Sequence, residues 1–184
     1  YAFLNFGSAQ MSIPTLGQAF INESIPLDKQ GPMLQVIIQT AGVTKQEWIF
    51  DNEALSPVSG TVTFNNAVKI SHPVGFTAGD FLTLPLTVSD ALVAVGADSD
   101  ATADFTGSDS AFGTILGTNS SITTLTAPGD LNFFQTGVSN IIVPVIFDGS
   151  AGSASGGNYG LVGQSYGAAM VPITYQYVPE SSTG

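Results

Sequence analysis

Apolar and polar residues alternate with a period of two along much of the chain, which is the spacing of half-buried β-strands. In residues 34–40, Leu34, Val36 and Ile38 share one face, and the two glutamines lie on the other. This pattern predicts a strand with one face in a core and one face in water. Further strands with the same pattern are predicted at residues 46–50 and 61–64.

Three more apolar segments each contain a proline, and they lie at residues 81–88, 141–147 and 168–178. Because proline donates no ladder hydrogen bond, Pro85 predicts an edge strand or a bulge. The segment 141–147 is apolar on both faces, so we expect it in the centre of a sandwich or against a neighbouring subunit. One short helical turn is predicted at residues 127–134, where Pro128 and Asp130 are typical of a helix start.

These strands predict an all-β fold, an antiparallel β-sandwich of the jelly-roll-like type with an extended N-terminal arm. A chain of 184 residues commonly forms one such domain. We expect residues 1–25 to form the extended arm or a donor strand, because alternation is weak there. Residues 26–178 are expected to form the sandwich, and residues 179–184 a C-terminal tail.

The composition narrows the class of protein. Three lysines, no arginine and fourteen acidic residues give a net charge of −11, which disfavours nucleic acid and anionic membranes as partners. Cysteine is absent, which excludes disulfides and thiolate metal sites. No apolar run is long enough to predict a transmembrane segment. The start at Tyr1, without a methionine or a basic leader, is what removal of a signal peptide would leave, so we expect a secreted protein.

Several short motifs also resemble those of one family. They are EWIFDNE at residues 47–53, DFTGSD at 104–109, TTLTAPGDLNFF at 123–134, SASGGN at 153–158 and VPITYQYVPE at 171–180. Their order and spacing over residues 28–180 resemble the bacterial choice-of-anchor E family, whose members carry a PEP-CTERM type sorting signal. The sequence Val178-Pro179-Glu180 resembles the start of that signal, although Ser181 stands where a second proline is expected. The resemblance implies an extracellular or outer-surface location and supplies no catalytic residues.

An acidic segment is the one candidate for a metal site. Asp98, Asp100, Asp104 and Asp109 lie close together in sequence, and Ca²⁺ prefers several carboxylate and carbonyl oxygens gathered by a loop. The spacing is not that of an EF-hand. Calcium binding and a solvated acidic loop therefore both remain open, and no other cofactor is expected.

Catalysis is not expected. Residues 163–167 read Gly-Gln-Ser-Tyr-Gly, which matches the nucleophile elbow of hydrolases. That motif needs a strand, a turn and a helix, with an acid and a histidine placed later, but the single histidine, His72, comes earlier and a strand pattern follows. Aromatic residues that could stack on an extracellular polysaccharide are Tyr1, Trp48, Tyr159, Tyr166, Tyr175 and Tyr177, although such residues are more often core or rim residues of a sandwich.

Two functions follow from these features. The first is a secreted structural subunit of an extracellular filament, tube or matrix, a homo-polymer joined through β-strand or sheet-edge contacts. The second is a monomeric cell-surface module that binds carbohydrate or a partner protein. The weakly charged polar surface and the strands with two apolar faces favour the first.

Overall fold

The computed structural model describes residues 2–4, 7–76, 82–98, 100–135, 139–149, 152–154 and 157–181. They form two antiparallel five-stranded sheets that pack face to face, which confirms the predicted β-sandwich. The elements are β1 (Ala2–Leu4), β2 (Gly7–Pro14), α1 (Leu16–Asn22), a 3₁₀ turn (Leu27–Lys29), β3 (Met33–Asn52), β4 (Val58–Ile70), β5 (Leu82–Val95), β6 (Ser110–Leu125), α2 (Pro128–Gln135), β7 (Asn140–Gly149), β8 (Ser153–Ala154), β9 (Tyr159–Met170) and β10 (Ile173–Tyr177).

The first sheet is built around β3, a strand of 20 residues. β6 pairs with one edge of β3, and β9 and β10 pair in line along its other edge. β1 lies outside β9. The strands predicted at residues 34–40 and 46–50 are therefore parts of one strand, and the predicted strand 168–178 is divided between β9 and β10 at Pro172.

The second sheet is built around β4 and β7. β5 pairs with one edge of β4, β7 and β8 pair with the other, and β2 lies outside β7. The segment 141–147 thus lies in a central strand, as its two apolar faces predicted. Pro85 lies in β5, which pairs only with β4 among the described residues and is an edge strand, whereas Phe81 lies outside the described residues. The order β1-β9-β3-β6 over β2-β7-β4-β5 is a jelly-roll arrangement.

The core consists of two apolar clusters separated by buried polar side chains. One cluster lies around Phe134 and Phe147, and the other lies around Phe50 and Phe64. Between them, the inner faces of the two sheets carry Thr44, Gln46, Asn66 and Ser165, all of which are buried. The Thr44 hydroxyl accepts hydrogen bonds from the side-chain amides of Gln46 and Asn66, so these groups are partly satisfied within the core.

The N-terminal segment, where the arm was expected, contains β1, β2 and α1. In this structure β1 and β2 are outer strands of the two sheets, and α1 places Leu16 and Phe20 in the first cluster. Thr15 caps α1 by accepting a hydrogen bond from the Gln18 backbone N–H at 3.1 Å. The segment therefore contributes to the sandwich, and Tyr1 and residues 182–184, at the two chain ends, lie outside the described residues. The predicted short helix is confirmed as α2, which buries Leu131 and Phe134.

Candidate functional site

The outer edge of β6 is a long sheet edge without a strand partner among the described residues, and β5 of the second sheet lies close to it. Among the described residues β6 pairs only with β3, through all 16 of its residues, so its other edge has no strand partner there. β6 contains neither a charged residue nor a proline. The edge strand of the second sheet on the same side, β5, contains Pro85 and Asp90, which are residue types that discourage strand addition. β6 has no such protection.

The backbone groups on this edge can be assigned from the register. The Thr40 hydroxyl donates to the carbonyl oxygen of Ser121 at 3.4 Å, so that carbonyl points toward β3. The Ser120 N–H donates instead to the side chain of Asn119 at 2.8 Å. Because consecutive residues of an antiparallel strand alternate in the direction of their backbone groups, the even-numbered residues of β6 direct theirs to the open edge. They are Ser110, Phe112, Thr114, Leu116, Thr118, Ser120, Ile122 and Thr124.

The outer face of the first sheet, adjoining this edge, carries exposed apolar side chains among polar ones. It is formed by the odd-numbered residues 37–49 of β3 and the even-numbered residues 112–124 of β6 and 162–170 of β9. One row runs across three strands, because Ile49 lies opposite both Phe112 and Val162. Phe112 is 86 % exposed and Leu116 is 66 % exposed. Large apolar side chains exposed together on one face are typical of contact surfaces, so the outer face is a candidate contact surface.

The outer face contains one ion pair and no other charged residue. Lys45 and Glu47 are two positions apart on β3, and their side chains form a salt bridge. The hydrogen bond and the charge of Glu47 raise the pKa of Lys45 above its ordinary value. The face is therefore neutral overall, in a protein whose net charge is −11.

A hollow lies on the outer face, beside the ion pair and on the side away from Phe112. It has a volume of about 560 Å³ and is bounded by Ala41, Val43 and Met170 on the apolar side and by Thr118 and Ser120 on the polar side. The hollow lies against Ala168 and Ala169 of β9. Phe112 projects from the face at the level of Ile49. The face thus combines a projection and a recess about six residues apart along β3.

The four aspartates predicted to bind calcium lie in or beside one loop, between β5 and β6. Asp98, Asp100 and Asp104 each accept hydrogen bonds from backbone N–H groups two or three residues later. Asp109 is buried at the start of β6. Among the described residues no group of three acidic or histidine side chains is arranged to hold a metal ion. Calcium binding at this loop stays a prediction.

Two residues that sequence reasoning missed hold this loop in place. Asp51, which is buried, accepts hydrogen bonds from the Phe105 N–H at 3.0 Å and from the Ser110 hydroxyl at 3.1 Å. Asn52 donates to the carbonyl oxygens of Ser56 at 2.9 Å and Gly96 at 2.6 Å. The available signal was an acid and an amide directly after the apolar strand pattern at residues 46–50, since such groups need hydrogen-bond partners when they are buried.

Glu53, the next residue, lies close enough to the acidic loop to be affected by its charges. Loss of hydration raises its pKa above the ordinary value, and the charges of Asp51, Asp98, Asp100 and Asp109 raise it further. Glu53 and Asp51 come from the end of β3, some 45 residues before the loop in sequence. The structure therefore assembles a more acidic end than the loop sequence alone contains.

The Gly-Gln-Ser-Tyr-Gly segment lies within β9 and does not form a strand-turn-helix elbow. A β-carbon on Gly163 would lie 2.6 Å from Cε1 of Phe64, and one on Gly167 would lie 2.7 Å from Cγ of Phe147. Both glycines therefore admit aromatic rings from the opposite sheet. Ser165, between them, is 3 % exposed on the inner face. Packing accounts for this motif, and the absence of catalysis stays a prediction.

The aromatic residues considered for sugar stacking mostly pack inside the sandwich. Trp48 is 4 % exposed, and Tyr159 stacks on Phe50 with ring centroids 5.4 Å apart. Tyr177 contacts Phe20 edge to face. The Tyr175 hydroxyl donates to the backbone carbonyl of Pro14, and burial raises its pKa. These rings form no exposed stacking platform.

Comparison with known proteins adds no relative. No protein-family model, curated protein or solved structure matches the chain. The resemblance to the choice-of-anchor E family therefore stays a prediction. No helix among the described residues is both long and apolar enough to cross a membrane.

Proposed function

We propose that the chain is a structural subunit of an extracellular filament, tube or matrix, and that copies join through the open edge of β6. The observation that carries the proposal is the length and composition of this edge, 16 residues without charge or proline. A flat, uncharged edge of this length readily accepts another strand, so a protein that remains monomeric usually protects it.

The opposite edge of the first sheet is a suitable partner for β6. It is formed by β1 and by β10, each of which pairs with one strand only among the described residues. Pairing of β6 with this opposite edge of the next copy joins two different surfaces. Such a heterologous contact continues from copy to copy and gives an open filament unless the rotation closes a ring. The N-terminal strand would then act as the donor strand expected from the sequence.

The extracellular location is part of the same proposal. It is supported by a surface rich in uncharged polar residues, since charged residues are only 9 % of the chain, and by the partial sorting motif at residues 178–180. Net charge also bears on assembly, because packing subunits of charge −11 gathers like charge. We expect polymers to form more readily as salt concentration rises, because ions screen that repulsion.

Two matched proline variants test the edge contact. Ser120→Pro places a pyrrolidine ring on the open edge, where the Ser120 N–H donates only to the Asn119 side chain, whereas Ser121→Pro removes an N–H directed at β3. We expect Ser120→Pro to remain a folded monomer that no longer assembles. Ser121→Pro should instead lower the melting temperature, because it breaks the ladder inside the subunit. Light scattering and negative-stain imaging report assembly, and circular dichroism reports folding.

Assembly of folded Ser120→Pro at the wild-type rate would overturn the edge contact. A wild-type chain that stays monomeric across a concentration and salt series would overturn the structural role itself.

A second candidate function is a monomeric surface module for carbohydrate or a partner protein. The observation that favours it is the hollow of about 560 Å³ on the outer face, which has a size typical of ligand sites. It predicts monomers under all solution conditions, together with saturable binding of a soluble polysaccharide or peptide. Val43→Trp, which fills the hollow, should abolish that binding.

A further inference from the structure

The outer face of the first sheet is complementary to itself. We propose that two copies of the chain stack face to face over this surface, related by a two-fold axis that crosses β3 at the level of Gln46. The contact is separate from the edge contact of β6, because it joins two sheets by their faces and does not extend one sheet. It does not require that the proposed filament exists.

Charge selects this face for self-association. A protein of net charge −11 repels its own copies wherever two acidic surfaces meet. The outer face carries only Lys45 and Glu47. A two-fold axis at Gln46 reverses the strand direction, so Lys45 of each copy lies opposite Glu47 of the other. The acidic loop at residues 98–109 lies beyond one end of the face, and the two loops are kept at opposite ends of the pair.

The same axis brings the projection of one copy to the recess of the other. Residue 49 of β3 is three positions from Gln46 in one direction, and residue 43 is three positions away in the other. The row of Phe112, Ile49 and Val162 therefore meets the partner row of Thr118, Val43 and Ala168. Phe112, 86 % exposed, lies over the hollow of the second copy. Both ends of the face make this contact, as an isologous interface requires.

The two faces overlap over a small area, so we expect a weak, reversible dimer. With the axis at Gln46, residues 43–49 of β3 in each copy lie opposite residues 43–49 of the other, together with their neighbours on β6 and β9. These residues span about 20 Å at roughly 3.4 Å per residue, and three strands at about 4.8 Å spacing span roughly 14 Å. Their product is roughly 280 Å² of flat sheet per copy, to which the relief of the side chains adds, whereas a standard interface buries about 800 Å² per partner. Stacked sheets pack about 10 Å apart, which leaves room for the interdigitated rows.

Charge reversal gives a complementation test. Lys45→Glu places two acids on the face and Glu47→Lys places two lysines, so each variant opposes like charges across the axis. We expect each variant alone to dimerise at least about tenfold more weakly than the unsubstituted chain. An equimolar mixture should form a one-to-one heterodimer, because each acid then faces a lysine. Sedimentation velocity and native mass spectrometry distinguish these species.

The measurement is made in the Ser120→Pro background, so that the β6 edge cannot contribute. Phe112→Ser should also weaken the dimer, while its matched control Leu55→Ser, at a 91 % exposed residue outside the outer face, should not. Neither change removes a buried side chain, so the melting temperature should stay at the parent value. A chain that is monomeric in this background, or variants that fail to form the heterodimer when mixed, would overturn face-to-face stacking. Either result leaves the edge contact unaffected, because that contact is tested by the Ser120→Pro and Ser121→Pro pair.

Discussion

Replacing Gly167 by alanine would place a methyl group against the ring of Phe147. The new β-carbon would lie 2.7 Å from Cγ and 2.8 Å from Cδ2 of that ring, whereas carbon atoms in contact prefer roughly 3.5–4.0 Å. Phe147 is 1 % exposed, so its ring has little space in which to move. Overpacking of this kind costs about 1–3 kcal/mol. For a chain of this size, that corresponds to a melting temperature lower by about 2–12 °C.

Thermal melts followed by circular dichroism measure this difference, and urea midpoints provide a second estimate. Gly163→Ala should behave in the same way, because its β-carbon would lie 2.6 Å from Cε1 of Phe64. Gly129→Ala is the matched control, since no heavy atom lies within 4 Å of its β-carbon position and alanine favours the helix. If Gly167→Ala and Gly163→Ala are as stable as Gly129→Ala, packing does not explain the Gly-Gln-Ser-Tyr-Gly segment.

Three further predictions concern the acidic end of the sandwich. Asn52→Ala should lower the free energy of unfolding by about 1–3 kcal/mol in urea titrations, because the buried Asn52 amide donates two hydrogen bonds that the variant loses; an unchanged midpoint would contradict the role given to Asn52. Since the pKa of Glu53 is raised in the folded state, its protonation stabilises the fold, and this stability is lost as pH rises through the folded pKa. Glu53→Gln should therefore be more stable than the wild type at pH 7, and the difference in melting temperature between the two should become smaller in acid. A difference that is the same at both pH values would contradict a raised pKa of Glu53. Calcium should raise the melting temperature of the wild type and raise that of Asp100→Asn less. A wild-type melting temperature that calcium does not change would contradict the predicted calcium site at residues 98–109.

The sequence predicted the sheet fold but divided its longest strand in two. The interruption lies at Thr40, Thr44 and Gln46, which face inward where apolar residues were expected. Their burial is tolerated because the Thr44 hydroxyl accepts hydrogen bonds from amides on two strands. No spacing along one strand contains that information, since Asn66 belongs to the other sheet.

β6 was missed for a related reason, although it forms the proposed contact. Its large apolar residues, among them Phe112, Leu116 and Ile122, face outward, and smaller residues such as Gly113 face the core. Alternation predicts two faces but does not say which face a sheet buries. The missing Cβ of Gly113 admits the ring of Trp48, a contact that only the fold reveals.

The N-terminal helix, by contrast, had a signal in the sequence. Thr15 and Gln18 have the spacing of a capping box, and Leu16 and Phe20 lie on one helical face. Pro14 and Gly17 obscured this signal, because both residues are typical of turns. The acidic residues of the loop are adjacent in sequence and were predicted as a candidate calcium site, which stays a prediction, whereas the supports of the loop in β3 are distant in sequence and were not predicted.

Amide hydrogen exchange in assembled and dispersed protein tests the β6 contact most directly. We predict that the even-numbered amides of β6 exchange rapidly in the dispersed chain and become protected in the polymer, while the odd-numbered amides are protected in both. Ser120 is excluded because its N–H already donates to Asn119. Polymers in which the even-numbered amides of β6 exchange as rapidly as in the dispersed chain would contradict the account.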